Sequence, residues 1–296
     1  ISRIGYMKGG HSARFKDEEL ATKVVAKSVE YIESHKNEPF FLSVGLFEPH
    51  VPRVAEPPFV GTSQCGVRGD VIHQVDWQVG EIMKTLDRLD LAKNTIIIFS
   101  SDNGPILFDG YYDGSVEDLN GHQPAGKLRG SKYLVFEGGC RVPFIVRWPG
   151  QIKPRVSDQM ISLVDCYATL AKIAGQEFPA SAAPDSLDLS SMLLGKTDKN
   201  LRDHTVLHGI GGLAIRKGDW KYIPASAGAG GMGSGANATD ERFAAATIPS
   251  PMLFNLAADP NEEENIIEKN PEKAAELAEE LETIKNSPTN LAKPKS

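Results

Sequence analysis

The chain has 296 residues, 41% hydrophobic and 24% charged, with a formal net charge of −7. This is the composition of a globular protein with one large core or a large and a small domain, and it excludes a broad basic surface for nucleic acid. Three cysteines (Cys65, Cys140, Cys166) form no paired metal spacing and, being odd in number, exclude a complete disulfide framework, while no run of about 18 apolar residues could span a membrane.

Ile1 stands where an initiator Met would, and no signal-type segment follows, so the sequence is expected to begin within a domain. Lys16 to His35 reads as a helix. Asp17, Glu18 and Glu19 suit its N-terminal dipole, and Leu20, Val24, Val25, Val29 and Ile32 make an apolar stripe. Phe40 to Phe47 reads as a buried strand stopped by Glu48-Pro49-His50-Val51-Pro52. A second helix is expected from about Asp70 to Leu89, then a strand from Asn94 to Phe99. Strand, helix, strand predicts a right-handed crossover and a parallel pair, with His50 and Asp102-Asn103 on one sheet edge.

Pro105 to Gly130 has no clear period, and loops of that length in a compact domain are usually functional or mobile. Arg141 to Trp148 reads as a strand closed by Pro149-Gly150, and Asp165 as the cap of a helix ended by Gly175. Composition shifts near Gly195, which divides the chain into 1–195 and a smaller 196–296 part. In the latter, Thr205–Leu207, Leu213–Arg216, Trp220–Ile223 and Met252–Leu256 read as short strands. Lys217-Gly218-Asp219 is a hairpin turn, Ala225 to Asp240 a Gly/Ala/Ser loop, and Pro271 to Asn286 a charged amphipathic helix. This predicts an antiparallel sheet with one helix on it. Asn237-Ala238-Thr239 is a glycosylation-type triplet, a common pattern that carries little weight.

The most informative segment is Asn94 to Gly104, where a β-branched run ends in Asp102-Asn103-Gly104. In open α/β sheets, ligands sit past the carboxyl ends of such strands. Two hard oxygen donors there suit calcium or magnesium rather than zinc; a plain polar turn is the alternative.

Several motifs in order resemble the type I, formylglycine-dependent sulfatases of the alkaline phosphatase superfamily. They are Phe40 through Pro49-His50-Val51-Pro52, Asp76 to Gly80, Asn94 to Pro105, Lys132 through Glu137-Gly138-Gly139 to Gly150, Val164-Asp165, Lys217 to Tyr222, and Leu253 through Asp259-Pro260. Ile4 to Gly10 and Cys65 to Asp70 are similar to bacterial arylsulfatase A-like members. The resemblance implies an alkaline-phosphatase-like α/β sandwich with a mostly parallel central sheet, its first strands lying upstream, plus the small antiparallel sheet. It implies that Asp102 and Asn103 hold one calcium ion, that Lys132 stabilises charge on the sulfate and that His50 protonates the departing alcohol. His122 would contact the organic part of the substrate, or be an ordinary loop histidine; Arg129 would bind substrate or anchor the loop. The family nucleophile, a formylglycine, arises within Cys/Ser-x-Pro/Ala-x-Arg. None of the three cysteines fits, since even Cys166, with Ala168 in place, has Leu170 for the Arg.

The nucleophile and the remaining metal ligands are therefore expected upstream of Ile1, with no turnover by the chain alone and poor stability without that part. The implied substrate is a sulfated small molecule or glycan, with export to the periplasm or outside. A phosphonate or phosphodiester hydrolase of the same superfamily, or a non-catalytic glycan-binding remnant, is the alternative.

Overall fold

A computed structural model of the chain describes residues 9–11, 14–110, 112–226, 247–289 and 291. The arylsulfatase-like start from Ile4 to Lys8, the Gly/Ala/Ser tract beyond Ser226 and the Asn237-Ala238-Thr239 triplet lie outside them. The chain forms two compact units: Ile1–Ile97 with Ile106–Pro124, and Ile98–Pro105 with Ala125–Ser296.

In the first unit, α1 (Leu20–Ser34) follows a 3-10 turn at Asp17–Glu19 and packs on α2 (Gly66–Arg88). The buried positions of α1 are Ala21, Val25, Ser28 and Ile32, spaced at helical intervals. The inward face of α2 mixes apolar and polar residues. Val71, Val75 and Leu86 are buried, but so are Gln74 and Gln78, one turn apart and with 0% exposure. Both amides find the same partner: Gln74 Nε2 donates to Glu48 Oε1 at 2.6 Å and Gln78 Nε2 to Glu48 Oε2 at 2.9 Å. Glu56 is equally satisfied, accepting from Thr22 and donating its own N–H to Gln74 Oε1. Burial of these polar groups is tolerable because nearly all find a partner, the exception being Gln78 Oε1, which is buried without one.

The expected strand Phe40–Phe47 is extended but belongs to no ladder, and the expected parallel pairing with the next strand is absent among the described residues. Burial alternates along 41–47, as a strand would require, yet Phe41 is 76% exposed. A strand is defined by neighbours that complete its hydrogen bonds, which periodicity alone does not supply. Instead β1 (Ile97–Ser100) pairs with β2 (Phe144–Arg147) in a two-stranded sheet.

The second unit is built around four antiparallel strands in sequence order: β3 (His204–Gly209), β4 (Gly212–Lys217), β5 (Trp220–Ile223) and β6 (Met252–Asn255). Lys217 pairs with Trp220, so Gly218-Asp219 is a two-residue turn, and Gly218 supplies the positive φ of 56°. The period of two splits the sheet's side chains cleanly. Ala214, Ile223 and Phe254 cluster with Leu134, Val135 and Phe136 on one face. Ile215, Tyr222 and Leu253 cluster with Ala274, Leu277, Leu281 and Ile284 of the terminal helix on the other. The first face thus packs on residues that precede the compositional shift at Gly195.

Helices α3 (Glu137–Cys140), α4 (Asp165–Ile173), α5 (Ser190–Leu193) and α6 (Pro271–Lys285) complete this unit. Gly175, at φ 67°, ends α4, with Gln176 N–H donating to Ala171 and Gly175 N–H to Lys172, the hydrogen-bond pair of a Schellman motif. Asp165, expected as the cap, is the first helical residue. Its carboxylate accepts from Ser162 N–H at 2.9 Å and Leu187 N–H at 2.9 Å, and Arg202 Nε donates to it at 2.7 Å. That buried carboxylate braces three segments. Among the described residues no helix is long and apolar enough to cross a membrane.

Candidate active site

In the first unit, His50 follows Glu48, the residue gripped by α2, and lies in the Glu48–Pro52 turn. Its Nδ1–H donates to the Val51 carbonyl at 2.7 Å, which fixes the ring and leaves Nε2 facing Asp109 Oδ2 at 4.0 Å. Asp109 is buried while the imidazole is 46% exposed, so a buried carboxylate faces a ring open to solvent. Asp109 carries no sequence signal beyond being an acid in a glycine-rich loop. The same loop is tied down by Arg53, another residue the sequence does not mark. Its Nε donates to the Pro49 carbonyl (3.1 Å), Nη2 to Ile106 (2.6 Å), and Nη1 to Leu107 (2.9 Å) and to Asp113 Oδ2 (3.0 Å). One guanidinium, 1% exposed, joins the His50 turn to both sides of the Asp109 loop. His122 is exposed in this unit, its backbone N–H donating to Leu119.

The second unit carries Asp102, Asn103, Arg129 and Lys132. Asp102 is exposed just past β1, and its carboxylate has no hydrogen bond or ion pair among the described residues. Asn103 donates Nδ2 to the Gly104 carbonyl at 2.9 Å, so the amide oxygen remains to accept. Both oxygens suit a hard cation, although two donors are fewer than the six to eight calcium takes. The turn is locked by glycine against glycine. Gly104 N–H donates to the Gly139 carbonyl at 2.8 Å, and a Cβ on Gly104 would meet the Gly138 carbonyl oxygen at 1.9 Å. Gly138 N–H donates to the Arg129 carbonyl at 2.7 Å, and Lys132 N–H to that of Pro105 at 3.1 Å.

Lys132 is thereby set in register with the Asp102 turn by main-chain bonds. Its ammonium lies 5.1 Å from the ring of Tyr133, which holds φ 81°, unusual for a bulky residue. The Tyr133 carbonyl accepts from Ile210 N–H at 2.8 Å, tying this backbone to the sheet. Arg129 points elsewhere: Nη1 donates to the Glu262 carbonyl at 2.9 Å, and the guanidinium sits 4.0 Å over Phe136. These contacts support the anchoring reading of Arg129.

Cys140 is pushed up to about 11 by burial, so its thiol stays protonated and is a poor nucleophile at neutral pH. Asp203, His204 and Glu280 bring ligand-type atoms within 4.8 Å of one another. The Lys217 ammonium already lies 2.6 Å from Glu280, so the group is a charge network pinning α6 to β3 and β4.

Oxygen donors past a strand end, coupled by backbone to a lysine ammonium, form a set chemically suited to an anionic oxygen-rich ligand and a hard cation. Comparison with known proteins defines the class further. Residues 5–176 match the family described as Sulfatase. The chain is 47% identical over 287 residues to an N-acetylgalactosamine-6-O-sulfatase of Bacteroides thetaiotaomicron, covering 96% of this chain and 55% of that protein. It is 31% identical over 259 residues to arylsulfatase A of Bos taurus, covering 84% and 48%. A solved sulfatase structure from the metabolism of multiple glycosaminoglycans by Bacteroides thetaiotaomicron superposes with TM-score 0.86 at 45% identity, over 97% of this chain and 58% of that one. The chain belongs to the sulfatase family and has its alkaline-phosphatase-like α/β fold, and it spans about half the length of the curated relatives it matches.

Proposed function

We propose that the protein to which this chain belongs hydrolyses sulfuric esters. The observation carrying this is the exposed Asp102–Asn103 turn, locked by backbone to the Lys132 segment, in a chain 47% identical to a named sulfatase. Asp102 and Asn103 would hold a calcium ion, which when bound offsets negative charge on sulfate oxygens. Lys132 presents an ammonium as a compact point charge to the same oxygens. His50, its ring set by Val51 and facing Asp109, would hold at Nε2 the proton given to the departing alcohol. His122 would contact the organic part of the substrate, and Arg129 would bind substrate or, through its bond to Glu262, brace the loop. A formylglycine nucleophile belongs to the family's chemistry and is not among these residues.

In this reading 1–195 is part of the catalytic domain and 196–296 a small subdomain that supports it. Identity to the N-acetylgalactosamine sulfatase favours a sulfated sugar as substrate; the periplasm or exterior is the place of action in this reading. The test is hydrolysis of paired aryl sulfate and aryl phosphodiester substrates by the full-length protein, followed by 6-O-sulfated N-acetylgalactosamine. Preference for the sulfate is expected; preference for the diester would overturn the assignment.

A further inference from the structure

We propose that Lys221, on the central strand β5, is a positioning residue for the Asp102–Asn103 turn and Lys132, acting through Glu137 and Glu262. Alternation along β5 puts Lys221 on the same face as Ile223, the face that packs on Leu134–Phe136. Glu137 follows Phe136, so the sheet delivers an ammonium to the start of α3.

Lys221 has 0% exposure. Its Nζ lies 3.0 Å from Glu137 Oε1 and 2.8 Å from Glu262 Oε1. Arg216, its partner on β4, places Nη1 3.3 Å from the other Glu137 oxygen. Two carboxylates are balanced by two cations, as buried charges must be. Glu262 is held at φ 59°, where a non-glycine residue needs support. Burial pushes its carboxyl up, and the Lys221 ammonium opposes that, keeping it able to accept.

From this hub the contacts run directly to the candidate site. Glu262 Oε2 accepts from Glu137 N–H at 2.6 Å, capping α3 from outside, and the Glu262 carbonyl accepts from Arg129. Next in α3 come Gly138 and Gly139. Gly138 is crowded by the carbonyls of Arg129 and Gly130, each 2.5 Å from where its Cβ would be, and Gly139 accepts from Gly104. A shift of α3 therefore has no slack to dissipate in and must move Gly104, and with it Asp102 and Asn103. The 128–132 segment, bonded to Gly138 through Arg129, moves with it. The small sheet thus sets site geometry through a charge network that touches no substrate.

The role of the turn rests on the sulfatase reading, but the coupling can be measured without it. Amide hydrogen exchange of the full-length protein, resolved by residue with NMR, is compared for wild type, Lys221→Met and Lys221→Arg. Lys221→Met leaves the Glu262 carboxylate buried without its cation and Glu137 with Arg216 alone, and exchange at Gly104, Gly138 and Lys132 should rise about tenfold or more. Amides of α6 from Leu277 to Ile284, on the opposite face of the sheet, should stay protected, and Lys221→Arg should restore most of the protection. If Lys221→Met does not fold, Glu262→Gln, which keeps an acceptor for Glu137 N–H, decides by the same readout. Unchanged exchange at Gly104, uniform loss that includes α6, or no recovery in Lys221→Arg would overturn the proposal. Failure of sulfate-ester turnover would leave these rates as they are, so the two readings fail separately.

Discussion

The turn carrying His50 and the turn carrying Asp102 are fixed by opposite means. Around His50 the work is done by side chains: Gln74 and Gln78 grip Glu48, Asp109 faces the ring, and Arg53 ties the turn to the 106–113 loop. Around Asp102 the fixing groups are carbonyls and N–H groups brought together by glycines that leave no room for a Cβ. A side-chain clamp leaves the backbone able to adjust when one group is lost. A glycine-to-glycine contact sets the backbone itself and tolerates no added atom. The two arrangements suit the roles proposed, since a proton donor can reorient whereas a cation ligand pair must hold its geometry.

Two substitutions sharpen the contrast. Arg53→Met strands the Asp113 carboxylate and three carbonyls, and should cost about 3–5 kcal/mol in denaturant unfolding, the range for breaking a buried ion pair. Gly138→Ala should cost less, about 1–3 kcal/mol as overpacking does, yet displace the Asp102 turn more, read as faster exchange at Gly104. If Gly138→Ala left Gly104 exchange at the wild-type rate, the glycine contact would not be what fixes that turn.

The smallest effect concerns the clamp on α6. The hydrogen bond from Lys217 to Glu280 raises the lysine above its ordinary 10.5. A lysine raised by folding contributes stability that is fully present below its unfolded value and lost as pH climbs through the folded one. Lys217→Met should lower the thermal midpoint at neutral pH, with the gap to wild type closing as pH rises beyond about 10.5. A gap that stays constant into that range would show the ammonium does not carry the effect.

Much of this was legible in the sequence because it was periodic or local. The helices α1 and α2, the Gly218-Asp219 turn and the four short strands follow from patterns of 3.6 and 2, although of the expected α1 stripe only Val25 and Ile32 are buried, with Ala21 and Ser28 in the other inward positions. The strand end at Asp102 was readable for the same reason. Phe40–Phe47 shows the limit, since its alternation is real but its ladder depends on neighbours that pattern cannot supply. The buried charges were not legible at all. Lys221 meets Glu137 across 84 positions, and Glu262 caps α3 across 125. The domain boundary drawn at Gly195 follows composition, while the packing of Leu134–Phe136 against the sheet crosses it.

The most direct test of the central claim is steady-state hydrolysis of a sulfate ester by the full-length protein carrying Asp102→Ala or Lys132→Ala. Each should lower kcat/KM by about a hundredfold to a thousandfold, the loss typical of removing one electrostatic stabiliser of the transition state, with the far-ultraviolet circular dichroism unchanged. Turnover within about twofold of wild type in both variants would contradict the placement of the sulfate site at this turn.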